Sequence, residues 1–232
     1  MSFSRFPEPT HVPLRGGPTL RWGVLAPGGI ANDWVATLHA NTDQRVVAVA
    51  SRTAERSAAF AAKHGIPRSY GGYEALVGDP DVDIVYIAAP HTEHRALALL
   101  AIDAGKHVLI EKPIAVSAEQ AAEIALAAQT AGVFAMEAMW SRFIPQTTVI
   151  RRLLDDGVIG EPFGASATFA AQFGYDPSSR AFDPALGGGS LLDLGVYTLW
   201  WLHFCLGNPE TVKATGELAP TGVDADARVV LE

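Results

Sequence analysis

With 232 residues and 49% hydrophobic content, the chain can build one large core or two smaller ones. A formal charge of -8 without any basic run argues against nucleic acid as the main partner. A single cysteine, Cys205, excludes an internal disulfide and a cysteine-rich metal site, and makes the cytoplasm the expected compartment.

In chain order, residues 1–19 carry prolines at 7, 9, 13 and 18 and lack the apolar segment of a signal peptide, so they read as a flexible arm. LRWGVLA (20–26) is strand-like, and IANDWVATLHA is a helix candidate. VVAVA (46–50) is a second strand, followed by a helix from Thr53 as N-cap to Gly65 as stop. DIVYIAA (83–89) reads as the third strand, HRALALLAIDAG as a helix closed by Gly105, and HVLI as the next strand. Ser117 with Gln120 forms a capping box for a helix ending near Gly132, and FAMEAM is a further short strand. Apolar strands alternating with helices define parallel βαβ units, so 20–144 is expected to be a doubly wound Rossmann domain. Beyond it the texture changes to a helix, QTTVIRRLLDDG, and an alternating run, PFGASATFAAQFG, suited to a half-exposed antiparallel strand. Residues 145–232 are therefore expected to form a second α+β domain on an open, largely antiparallel sheet. The most apolar stretch, LLDLGVYTLWWLHFCL, is broken by Asp193 and falls short of the roughly 18 uninterrupted apolar residues of a membrane span, so no membrane partner is expected.

In such a sheet a dinucleotide pyrophosphate sits at the first strand-to-helix turn, on free N–H groups. Here that turn is Ala26-Pro27-Gly28-Gly29-Ile30-Ala31, where Gly28 fits the second glycine of the fingerprint, Ala31 the permitted third, and Ala26 replaces the first. Gly28, Gly29 and Ile30 are thus candidate cofactor residues. The second strand ends in Ser51-Arg52 with no acid; a guanidinium and a hydroxyl suit a 2'-phosphate, which favours NADP over NAD.

Two further strand ends line the expected crevice: Pro90-His91-Thr92-Glu93-His94 and Glu111-Lys112-Pro113. Pro90, His94, Glu111 and Lys112 are read as touching the cofactor. His91 and His94 lack an obvious third ligand, so no metal is expected. In the second domain, GGGSLLDLGVYTLWWLHFCL places Asp193 as the one formally charged residue of an apolar helix, four residues from Tyr197 and on its face. Lys112 is the expected partner of both, a constellation able to exchange a proton while a nicotinamide exchanges hydride.

These segments, APGGIA, SR, AAPHTEH, EKP, EAMWSRF and GGGSLLDLGVY, together resemble the glucose-fructose oxidoreductase/inositol dehydrogenase/rhizopine-catabolism family, in particular its dihydrodiol and NADP-dependent xylose dehydrogenase branch. The resemblance runs from about residue 20 to the C-terminus. It implies that Lys112 is the catalytic lysine, with Asp193 and Tyr197 at the acidic and final positions of a D-x-G-x-[HY] motif. It also implies that Trp140 and Arg142 lie near nicotinamide and substrate, and that Phe169 forms an aromatic wall of the substrate pocket. Lys112, Trp140, Phe169, Asp193 and Tyr197 would contact substrate. Relatives carry a longer second-domain sheet, so the chain is expected to be cut short there.

The expected activity is NADP-dependent hydride transfer to or from a secondary alcohol or carbonyl of a sugar, polyol or cyclic dihydrodiol, in a homodimer or homotetramer. The alternative is a non-catalytic dinucleotide-binding sensor on the same fold. A short-chain dehydrogenase is set aside because no tyrosine has a lysine four residues on.

Overall fold

The structure, a computed structural model, describes residues 6–232. The described chain divides into two compact units, one of Pro13–Ala138 and one of Met139–Glu232 together with residues 6–12.

In the first unit, β1 (Arg21–Leu25) leads into α1 (Gly29–Asn41), β2 (Arg45–Ser51) into α2 (Ala54–His64), and β3 (Arg68–Gly71) into α3 (Tyr73–Val77). β4 (Ile84–Ile87), α4 (His94–Asp103), β5 (His107–Ile110), α5 (Ala118–Ala131) and β6 (Ala135–Glu137) complete it. All pairings are parallel, in the order β3-β2-β1-β4-β5-β6. This is the dinucleotide-binding order, with its switch point between β1 and β4.

Successive strand residues face opposite helical layers. Leu25, Ala50 and Ile87 join one buried cluster with α4 and α5, while Val24, Val49 and Tyr86 join another with α1 and α2. Such two-sided burial explains why these strands read as apolar runs. Helix ends follow their local chemistry: Gly65 and Gly132 close α2 and α5 in the left-handed conformation, and the Ser117 hydroxyl accepts the Gln120 N–H at 3.3 Å. Thr53 stands at the N-cap of α2, but its side chain makes no capping bond.

Two expectations need correction here. DIVYIAA is the fourth strand, because RSYG forms β3 at the sheet edge; four residues with alternate exposure leave no apolar run to recognise. The alternating run 162–174 lies outside any strand, since no described segment pairs with it, and Phe163, Phe169 and Phe173 are exposed.

The second unit contains α6 (Pro145–Asp155), a single π turn at Leu191–Gly195 that runs into α7 (Val196–Leu206), and an antiparallel hairpin of β7 (Val212–Leu218) and β8 (Asp224–Leu231). Glu8 and Thr10 of the N-terminal arm are seated on α6. Thr10 N–H donates to Thr148 Oγ1 at 2.9 Å, and Arg152 donates to Glu8 O at 2.7 Å. Residues 1–5 lie outside the described residues. No helix among the described residues is long and apolar enough to cross a membrane.

Candidate active site

The turn between β1 and α1 runs from Ala26 to Gly28. Ala26, in the place of the first fingerprint glycine, takes the left-handed conformation (φ 55°), and its N–H donates to Ala50 O at 3.0 Å. Asn32 ties the turn down, its Nδ2 donating to Gly28 O at 3.0 Å. α1 starts without a side-chain cap and without an acid in its first turn. A side chain on Gly29 would meet nothing within 4 Å, and one on Gly28 only Ala88 O at 3.9 Å. Uncapped N–H groups facing open space fit an anion such as a dinucleotide pyrophosphate. Ile30 stands half-exposed at the start of the helix.

At the end of β2, Ser51 is buried and Arg52 exposed. Arg56 escaped the sequence reading, although it follows Arg52 by one helical turn. Burial pushes the Tyr73 phenol up, while Arg52 and Arg56 both pull it down and Glu93 adds to the rise. Two guanidinium groups therefore act on the same spot beyond β2.

Lys112 follows β5 in a turn whose Lys112–Pro113 peptide is cis. Three polar groups anchor that turn. Tyr86 in β4, fully buried and stacked on Trp34 at 4.2 Å, donates its hydroxyl to Glu111 Oε1 at 2.5 Å. Burial, reinforced by the Glu111 charge, pushes that phenol far up, so it remains a donor. Glu137 at the end of β6 accepts the Ile114 N–H at 2.8 Å. Burial raises the Glu137 carboxyl above its ordinary range, against the opposing pull of that bond and of Lys112. His94 provides the third anchor: Nδ1 lies 2.8 Å from Pro113 O and Nε2 2.9 Å from Ala89 O. Because its ring is 0% exposed and both nitrogens face protein carbonyls, the expected direct contact of His94 with cofactor is corrected. His91 is also buried, its ring edge-on to His94 at 5.8 Å, and Pro90 precedes it at the mouth of β4.

Within the second unit, Trp140, Phe169 and Tyr197 come together. Trp140 Nε1 donates to Tyr197 Oη at 2.9 Å, and the Phe169 and Tyr197 rings are 5.6 Å apart. Arg142 is exposed on the short turn that carries Trp140. Asp193 meets a cation that sequence reading missed: Arg180 Nη2 lies 3.3 Å from its Oδ2. The Asp193 side chain, in the π turn, is 18% accessible, and the pairing with Arg180 offsets the cost of enclosing its carboxylate.

The glycine triplet has a packing origin. A Cβ on Gly188 would meet the carbonyl oxygens of Ala181 and Arg180 at 2.8 Å. One on Gly189 (φ 114°) would overlap the carboxylate of Asp224. That carboxylate accepts from Ser190 Oγ at 2.7 Å and from Leu191 N at 2.6 Å, capping the helical segment from β8. Asp193 and Asp224, with Phe173, Tyr175 and Phe182, line a cleft of about 630 Å³ within this unit.

A 3-2-1-4-5-6 parallel sheet with an open, uncapped turn after β1 places the first unit in the dinucleotide-binding Rossmann class. Residues 20–139 match the family model described as "Oxidoreductase family, NAD-binding Rossmann fold", and 147–232 match the "GFO/IDH/MocA C-terminal domain". The chain belongs to the Gfo/Idh/MocA oxidoreductase family. It is 42% identical over 217 residues to a trans-1,2-dihydrobenzene-1,2-diol dehydrogenase of Mus musculus, covering 92% of this chain and 65% of that protein. An NAD-binding oxidoreductase from Klebsiella pneumoniae superposes with a TM-score of 0.79 at 30% identity, over 91% of this chain and 62% of that one. An aldose-aldose oxidoreductase from Caulobacter crescentus, solved with glycerol, gives 0.78 at 28% identity, over 91% and 67%. The chain thus spans about 65% of the length of the curated relatives it matches.

Proposed function

We propose that this chain is an NADP-dependent oxidoreductase acting on a secondary alcohol, or the matching carbonyl, of a sugar, polyol or cyclic dihydrodiol. The observation that carries the reading is the thrice-anchored turn presenting Lys112 at the carboxyl end of β5, next to the switch point where ligands of open α/β sheets bind. Gly28, Gly29 and Ile30 would receive the pyrophosphate, while Ser51, Arg52 and Arg56 would hold the 2'-phosphate, Arg52 by paired donors. Pro90, Glu111 and Arg142 would border the nicotinamide.

The nicotinamide supplies the hydride acceptor or donor when bound. In the reductive direction Tyr197 gives its hydroxyl proton to the oxygen of the substrate carbonyl, and in the oxidative direction it takes the alcohol proton back. Lys112 and Asp193 are assigned to the same proton exchange, the charge of Asp193 being balanced by Arg180. Trp140 and Phe169 would border the substrate. The dehydrogenase relatives support the reaction class, and the reading includes a homodimer or homotetramer.

The test is a fluorescence titration with NADPH and NADH, followed by a turnover screen of aldoses, inositols and dihydrodiols. Tighter NADPH binding with turnover that Lys112→Met abolishes, at undiminished NADPH affinity, is the expected result. Unchanged turnover in Lys112→Met would sink the catalytic assignment; NADPH binding without turnover in the unmodified chain would favour a dinucleotide sensor.

A further inference from the structure

His94 is the first residue of α4, completely buried, and each ring nitrogen points at a main-chain carbonyl: Nδ1 at Pro113 O (2.8 Å) and Nε2 at Ala89 O (2.9 Å). A carbonyl oxygen only accepts, and a neutral imidazole has one N–H and one lone pair. A neutral ring would therefore press its lone pair against a carbonyl oxygen at hydrogen-bond distance, with no water between. Turning the ring over helps neither oxygen, because carbon atoms then replace the nitrogens. Only the doubly protonated ring donates to both.

We propose that His94 is held as an imidazolium that clamps the Ala89 carbonyl to the Pro113 carbonyl, and is thereby a positioning residue for the Lys112 turn. The clamp ties the segment leaving β4 to the segment leaving β5. Its counter-charge is Glu111, the residue before Lys112, which acts electrostatically on the ring. The groups around it are known: the His91 ring lies edge-on at 5.8 Å, Tyr86 donates to Glu111, and Glu137 takes the Ile114 N–H. By charge and solvation alone burial is the largest influence and, with the N-terminus of α4, holds the ring below the ordinary histidine value, while the two carbonyls and Glu111 pull the other way. The geometry decides between them, since the neutral form lacks a donor for one of two short contacts. The proposed role, though not the protonation state, rests on the functional reading above.

The protonation state is read directly by nitrogen-15 NMR of the imidazole groups in the intact, unmodified chain between about pH 6.5 and 7.5, near the ordinary histidine value. The His94 signal is assigned by its loss in His94→Phe or, if that variant does not fold, in His94→Asn. Protons on both ring nitrogens throughout this range are the expected result; a ring with one proton at the upper end overturns the proposal.

The positioning role is read by NADPH titration across pH. The unmodified chain should lose affinity as the ring deprotonates at higher pH. His94→Phe, which keeps ring volume without donors, should bind NADPH at least about tenfold more weakly and lose that part of the pH dependence. Full affinity and an unchanged profile in a folded His94→Phe would overturn the positioning role. If the unmodified chain binds no dinucleotide, the functional reading fails while the NMR result still stands or falls alone.

Discussion

Asp224, in β8, holds the amide of Leu191 at 2.6 Å and so starts a helix 33 residues back along the chain. A carboxylate on an otherwise orphaned helix N–H is worth about 1–2 kcal/mol. Asp224→Ala should lower unfolding stability by about that amount in urea titration. Gly189→Ala should cost more, at least about 2 kcal/mol, because φ is 114° and the new methyl strikes the same carboxylate. Combining the two should cost less than their sum, since removing the carboxylate removes the collision.

Arg21 and Asp83 supply an acid-sensitive link at the start of β1. Arg21 Nη2 lies 2.6 Å from Asp83 Oδ1, and these bonds hold the Asp83 carboxyl at about 2 instead of the ordinary 3.8. A depressed carboxylate contributes stability above its unfolded pKa, and that contribution disappears as pH falls from about 4 towards 2. Asp83→Asn should therefore cost about 1 kcal/mol at pH 7, after allowance for solvent screening, and almost nothing near pH 2. Denaturant melts at the two pH values check it.

Tyr197→Phe keeps the ring beside Phe169 and removes the hydroxyl that receives Trp140 Nε1. Turnover should fall by roughly 100-fold or more, the usual scale of a positioned proton transfer, while NADPH affinity stays within about threefold. An equal loss of both would show that Tyr197 serves binding.

Arg52→Ala should weaken NADPH binding by about tenfold or more and leave NADH nearly unchanged, because the lost guanidinium would pair only with a 2'-phosphate. Arg56→Ala should show the same selectivity with a smaller effect. Parallel fluorescence titrations with both nucleotides decide it.

Much of the first unit was legible because its strands are buried on both faces. Val24-Leu25 and Val49-Ala50 leave no polar residue to hide the pattern, and Gly65, Ser117 and Gly132 mark helix ends by local chemistry. β3 was not legible, since an edge strand needs no apolar run. The second unit was harder. Residues 162–174 carry a strand's alternation without a partner to pair with, and the crowding of the glycine triplet by Asp224 and the carbonyls near Ala181 has no mark in the local sequence. Trp140, Phe169 and Tyr197 were named from family likeness, and the fold sets their side chains together. Neither spacing nor likeness revealed Arg180 or the Tyr86–Glu111 bond, because each joins segments whose proximity only folding creates, whereas Arg56 lies one helical turn after Arg52 and was passed over.

The β7–β8 hairpin has every residue of β7 exposed, and no third strand joins it among the described residues. Unpaired edges of this kind are templates for strand addition, and nothing about backbone pairing distinguishes a stranger from a neighbour. Val212, Leu218 and Val230 add apolar surface to that ribbon. This ribbon should therefore add to the chain's tendency to self-associate: light scattering should grow with protein concentration, and a charge placed at Val230 should reduce it.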